Sequence, residues 1–299
     1  MNKRTPALFA AFVANLIYGL NYVVAKTIMP DYLQPRAIIL LRVVGAGIFF
    51  WLLSQLLPGK EKVAKRDKIR IAIASIFGVA INQILFFEGL NLTSPINASI
   101  IMVNVPILVM IMSHLVIRER VTTYKIIGLA MGASGAALLI LGNGNIKFSG
   151  GTALGDLFIL INASSYALYL VLIKPLMYKY KPLTVMRWVF LFGAMWVMPF
   201  SVHIAVQAEW SLIPWQIWLS IGYVIAFTTI LAYFLNNYSL THISPTANSA
   251  FIYLQPVFAA LVAIMFLDDI LKMHNLMAAL LIFAGVYMVS IKKKLPSNG

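Results

Sequence analysis

Cysteine is absent from the 299 residues. The chain therefore carries no disulfide, no thiolate metal site and no thiol redox centre. Charge is scarce as well. Asp, Glu, Lys and Arg make up 11% of residues, against roughly 25% in ordinary soluble domains. Apolar residues make up 61%, and mean hydropathy is +0.89. These values exclude a soluble globular domain and a disordered chain alike. Long polar stretches are missing too. The longest, Pro58–Lys68 and Asn143–Thr152, fall far short of the roughly 50 residues of a separate extramembrane domain. No G-x-x-x-x-G-K-[ST] phosphate loop occurs, so transport driven directly by ATP is not expected. His114, His203, His242 and His274 are scattered without metal-ligand spacing, and neither a metal nor any other cofactor is expected.

Acids are few: 9 against 23 Lys and Arg, a net charge of +14. In a soluble domain that balance suggests nucleic acid. In so apolar a chain it reads as basic loops on the cytoplasmic side of a membrane, with lipids as the surrounding partner and no nucleic acid.

What the chain does have is apolar segments of membrane-crossing length, roughly 20 residues each. Ten stand out, near 7–28, 35–57, 69–91, 95–117, 123–142, 153–176, 183–206, 214–239, 245–267 and 274–291. Alternation at period 2 is lacking, so a membrane barrel is not expected. Helices are the remaining way to satisfy every backbone group in lipid. The expected fold is an all-α integral membrane protein of ten transmembrane helices. The first segment follows Met1-Asn2-Lys3-Arg4, which resembles a signal-peptide start. It is longer than a signal core, polar residues run through it, and no clean cleavage site follows, so it reads as a retained helix.

Basic residues set the direction. Lys3, Arg4, six Lys and Arg within 60–70, Arg118, Arg120, Lys125, Lys174, Lys179, Lys181 and Lys292–Lys294 fall on one side. Only Lys26, Arg36, Lys147 and Lys272 fall on the other. Both termini are therefore expected in the cytoplasm. Trp210, Trp215 and Trp218 flank the seventh connection, where an outer aromatic belt belongs.

The sequence also repeats itself. At an offset of 150, Leu90/Leu240, Ser94/Ser244, Pro95/Pro245, Ser99/Ser249, Pro106/Pro256 and Gly135/Gly285 are identical. At 148, Tyr18/Tyr166, Val23/Val171 and Lys26/Lys174 are. Each copy holds five helices, an odd number, so the copies cross the membrane in opposite directions. Two inverted five-helix repeats, residues 1–146 and 147–299, are the expected domains. Such repeats are a common design of secondary transporters. The alternative is duplication for packing alone.

Asn15-Leu-Ile-Tyr18-Gly19-Leu-Asn21-Tyr22-Val-Val-Ala-Lys26, then Pro35 and Arg42, resembles the first helix pair of the EamA-like family of the drug/metabolite transporter superfamily. Phe87-Glu88-Gly89-Leu90, Ser94-Pro95, Ala98, Pro106, Glu119-Arg120, Gly128 and Gly135 continue the pattern, and Ser244-Pro245, Pro256, Asp269 and Gly285 repeat it more loosely. The resemblance spans the chain. It implies ten helices in two inverted repeats and a bacterial inner-membrane carrier of small metabolites, often an exporter of amino acids or drugs. Tyr18 departs from it, standing where the family usually has Trp, and Glu88 is not a general family residue.

Charged side chains inside a membrane are functional candidates by default. Arg42 lies about 10 Å below the outer end of its span and Glu88 about 6 Å below its own, from the helical rise. The similar depths suggest a pair, for a substrate carboxylate or a proton; the alternative is a structural ion pair or two snorkelling side chains. Asn97 and Asn104, and Asn248 and Gln255, recur seven residues apart and would each share a helix face. Pro106 and Pro256 remove the donors that would bind the carbonyls of Met102 and Ile252. These groups suggest a polar lining, with interhelical hydrogen-bonded packing as the alternative. Asn15, Tyr18 and Asn21 in the first span, and Asn162, Tyr166 and Tyr169 in the sixth, would complete the wall around a small-molecule substrate. Gly128, Gly132 and Gly135 in the fifth span, and Ala278 and Gly285 in the tenth, read as small-residue faces for close packing within one chain or across a homodimer.

Secondary transport outward is the leading function. An intramembrane enzyme would need a catalytic set that one buried acid and scattered His do not supply. A channel would usually need a lining ring formed through oligomer symmetry.

Overall fold

A computed structural model describes residues 3–57, 61–93, 95–141, 153–266 and 273–291. It is built of helices, and no strand occurs among the described residues. We number them α1 (Arg4–Ile28), α2 (Pro35–Leu56), α3 (Lys65–Leu92), α4 (Pro95–Met102), α5 (Val105–Ile117), α6 (Thr123–Leu141), α7 (Ala153–Lys179), α8 (Pro182–Val206), α9 (Trp215–Ser239), α10 (Pro245–Ala250), α11 (Gln255–Phe266) and α12 (Met273–Ser290). Among the described residues, eight helical runs are long and apolar enough to cross a membrane: α2, α3, Asn97–Ile117, α6, α7, α8, α9 and α12. Their outer faces expose large apolar side chains, among them Ile48, Leu115, Met195, Leu219 and Leu280. Water would penalise such a surface; lipid does not. The Asn143–Thr152 loop lies outside the described residues.

Prolines start several helices, where their fixed φ fits and their missing N–H is not needed. Pro35, Pro182 and Pro245 occupy the first turns of α2, α8 and α10. Ser244 caps α10, its hydroxyl accepting from the Ala247 N–H at 3.3 Å. Pro106 and Pro256 do the same inside two segments expected to be continuous. The stretch expected over 95–117 breaks at Val103–Asn104 before α5, and the one over 245–267 passes through a 3₁₀ turn, Phe251–Leu254, before α11.

Two helices change pitch in mid-course. Ile76–Ile81 in α3 and Val224–Leu231 in α9 are π-helical. Shifted by 150, the first falls within the second. Widened turns of this kind free backbone groups and recur at functional sites. Here other helices answer them. Ser165 donates to the Phe77 carbonyl (2.7 Å), Tyr233 to the Gly78 carbonyl (3.1 Å), and Asn162 Nδ2 to the Asn82 carbonyl (2.6 Å).

The helices pack in pairs that map onto each other when the halves are exchanged. α2 lies on α8, and α6 on α12; α3 lies on α7 as α9 lies on α1; α5 lies on α7 as α11 lies on α1. The α6–α12 crossing brings two backbones into direct contact. A Cβ on Gly285 would sit 2.5 Å from the Gly128 carbonyl oxygen, and one on Gly128 would sit 2.7 Å from the Gly285 oxygen. The two small-residue faces thus meet each other inside one chain.

A polar cluster ties the start of α3 and the loop before it to the end of α7. The carboxylate of Asp67, almost fully buried, accepts from Lys179, from the Tyr180 hydroxyl (2.8 Å) and from Arg70 (3.4 Å). Glu61 accepts the Lys181 N–H (2.9 Å) through its side chain and Arg187 (3.3 Å) through its carbonyl.

Candidate functional site

Between α1, α3, α7 and α9 lies a cavity of about 90 Å³, enough for several water molecules. Its wall is made by Tyr18 and Asn21 of α1, Arg42 of α2, Asn82, Gln83, Phe86 and Phe87 of α3, and Met102 of α4. Asn162 and Tyr166 of α7, Thr228 and Tyr233 of α9, Ile252 and Gln255 close it. Three pairs in this wall stand at the repeat offset: Tyr18/Tyr166 at 148, and Gln83/Tyr233 and Met102/Ile252 at 150. One pair touches: Gln83 Nε2 donates to the Tyr233 hydroxyl at 3.3 Å.

Hydrogen bonds hold the wall in place. The Tyr233 hydroxyl accepts from Gln83 and spends its proton on the Gly78 carbonyl; Asn82 Oδ1 stands 3.3 Å away. Gln83 must therefore present its N–H to Tyr233, which leaves Oε1 without a partner among the described residues. Asn162 faces a carbonyl, so it too must donate, and its Oδ1 is likewise unpartnered. Thr228 donates to Asn21 Oδ1 at 3.1 Å. Tyr166 accepts from Asn236 at 3.0 Å. Tyr18 lies edge-on to Tyr233, ring centroids 6.2 Å apart. Gln255 donates to Asn15 Oδ1 at 2.8 Å, and Asn15 donates to the Ala11 carbonyl at 2.9 Å.

Arg42 is 4% exposed. Its Nε donates to the Thr229 hydroxyl at 2.8 Å, and its guanidinium lies over Phe87, 4.7 Å from the ring centroid. Thr229 passes the bond on to the Val224 carbonyl at 2.8 Å, five residues back across the π turn. No carboxylate is paired with Arg42 among the described residues. The expected pairing with Glu88 is corrected: Glu88 instead binds Arg36, Nε to Oε1 at 2.6 Å. Depth along two helices was similar, but depth does not fix the direction in which a side chain points. Glu88 belongs to a partly exposed ion pair away from the cavity wall.

Of the other residues singled out from sequence, Asn15 backs the wall through Gln255. Tyr169 is fully buried behind it, donating to Asn237 Oδ1 at 2.9 Å. Asn248 donates to the Asn236 carbonyl at 3.2 Å and to the Ser239 hydroxyl, a packing role. Asn104 is exposed and turns back on the Ile101 carbonyl at 3.2 Å. Asn97 is half-buried and not part of the wall. The seven-residue stripes are not brought together on the wall: a turn at Val103–Asn104 interrupts the first, and of the four amides only Gln255 lines the cavity. Met102 and Ile252 do line the cavity, but the Ile252 carbonyl is not free: it accepts the Gln255 N–H across the 3₁₀ turn. Asn82, Gln83, Thr228 and Tyr233 were not singled out from sequence. Polar Asn82-Gln83 in mid-span, and the 150-residue offset of Gln83 from Tyr233, are the signals that point to them.

The sequence model of the EamA-like transporter family matches residues 5–141 and again 153–291. The chain belongs to that family. It is a multi-pass membrane protein and a transporter. It is similar to the uncharacterized transporter YyaM of Bacillus subtilis, 26% identical over 239 residues, covering 79% of this chain and 78% of that protein. YetK of the same organism, also an uncharacterized transporter, is 23% identical over 300 residues, covering 99% and 90%. A probable terminal-alkyne amino-acid exporter of Streptantibioticus cattleyicolor is 23% identical, covering 78% and 76%. A crystal structure of a protein 16% identical superposes with a TM-score of 0.77, covering 95% of this chain and 96% of that one, so the two share a fold.

Proposed function

We propose that this transporter is a secondary carrier that exports small organic metabolites, such as amino acids or amphipathic drugs, across the bacterial inner membrane. It has ten spanning helices in two inverted five-helix repeats, residues 1–146 and 147–299, with both termini cytoplasmic. The repeats rock about the central cavity and expose it to each side in turn. The observation that carries this reading is the cavity wall itself, where Tyr18/Tyr166, Gln83/Tyr233 and Met102/Ile252 stand at the repeat offset. Such pairs converge where a two-fold axis relating the halves would pass. A site on that axis meets the same surroundings from either side, the geometry alternating access needs. The exchange-symmetric helix packing and the two matched π turns support it.

Each rocked state must break one set of end contacts. The Asp67–Lys179–Tyr180 cluster joins the first half to the second at the end that the basic loops place in the cytoplasm. Amino acids are the example favoured by the similarity to a probable terminal-alkyne amino-acid exporter.

Purified protein in proteoliposomes tests the carrier reading. Labelled amino acids, small carboxylates and amines, screened as pools, should include one whose uptake saturates and accelerates when unlabelled solute is loaded inside. Linear flux without that acceleration would mean a channel. No flux from any pool by folded protein would remove the reading. For orientation, Lys62→Cys should stay unlabelled by an impermeant thiol reagent in intact cells.

A further inference from the structure

We propose that the central cavity is built for a small monocarboxylate anion whose carboxylate rests on Arg42. This rests on the carrier reading above and specifies its substrate. The wall holds one formal charge, the buried Arg42 guanidinium, and no carboxylate stands among the described residues that line it. A buried cation without a counter-charge is costly. Thr229 and Phe87 hold its position but offer a neutral oxygen and a ring face, not a negative charge. Guanidinium presents a planar fork of donors that matches a carboxylate. Thr229 occupies only Nε. An anion arriving in the cavity completes the pair. A cation meets repulsion, and a zwitterion leaves the net positive charge in place.

The rest of the wall reads the body of the solute. Phe86, Phe87, Met102 and Ile252 cover its carbon skeleton.

Three solutes of the same heavy-atom count separate the possibilities: lactate, alanine and lactamide, carrying a negative charge, a balanced pair of charges and no charge. Binding is read by calorimetry on protein in nanodiscs, and counterflow is read in proteoliposomes. Lactate should bind at least tenfold more tightly than either of the others. Arg42→Gln should erase that preference, while Arg42→Lys, a point charge without the fork, should keep part of it. Gln83→Glu leaves Arg42 untouched and adds a negative charge to the wall. It should weaken lactate and shift the preference toward alanine, which keeps the test valid if the Arg42 variants fail to fold. Equal binding of lactate and lactamide, tighter binding of alanine, or binding of none of the three would overturn the proposal. Counterflow of alanine or an amine without lactate binding would sink the monoanion and leave the carrier standing. Lactate binding without counterflow of any solute would do the reverse.

Discussion

Along α6 and α12 the halves meet through glycine; around the cavity they meet through tyrosine, amide and arginine side chains. At the first contact the backbones touch. Gly128 and Gly285 each lie where a single added carbon would press on the other's carbonyl. At the second, large polar side chains fill the space between helices and bond across it, with close backbone approach only at Gly19 against Gln255. Lipid gives helices no hydrophobic reason to associate, so tight packing needs small residues and open packing needs polar bonds. One contact therefore has a single arrangement. The other has partners that a modest side-chain movement can exchange.

Substitutions that exchange the two properties test this contrast. Gly285→Leu should have the largest effect. Its side chain has only backbone to displace, and overpacking of this kind costs about 3 kcal/mol. The variant should fail to accumulate or should melt far below wild type in a fluorescence-detected scan. Arg42→Gln should give the opposite result: transport down more than tenfold, with a melting temperature equal to or above wild type. It removes a buried cation that has no carboxylate partner among the described residues. A large loss of stability there would place Arg42 in the structural frame instead.

Asn248→Ala should fall between, losing about 1 kcal/mol of stability from the bonds to Asn236 and Ser239 while transport persists. Asn104→Ala should show the smallest effect, within about 0.5 kcal/mol and with normal flux, since its side chain is exposed and bonds only one turn back. Any marked transport loss in Asn104→Ala would mean that the break before α5 re-forms in another state.

Much of the wall was legible because polar residues in apolar spans are conspicuous. Tyr18, Asn21, Arg42, Asn162, Tyr166 and Gln255 all lie on it. What periodicity could not supply was phase. The stripe through Asn97 and Asn104 assumed an unbroken helix, yet Val103–Asn104 interrupts it. Asn82, Gln83, Thr228 and Tyr233 lie within or just beyond π turns, where a wheel drawn at 3.6 residues per turn assigns them the wrong face. Glu88 shows a different gap. Arg36, a partly exposed residue at the start of α2, takes the acid that depth alone assigned to Arg42. Membrane character and helical fold followed from composition, which does not depend on phase at all.

Single cysteines at Met102 and Ile252 test the account most directly, because the chain has no other thiol. The two positions stand at the repeat offset and both line the cavity. In vesicles of known orientation, Met102→Cys and Ile252→Cys should each react with an impermeant thiol reagent from either side. Strengthening the Asp67 cluster's end, or breaking it with Asp67→Ala, should shift the two-sided rates in opposite directions. Reaction from one side only, at both positions and under every condition, would contradict a cavity that opens alternately to each face of the membrane.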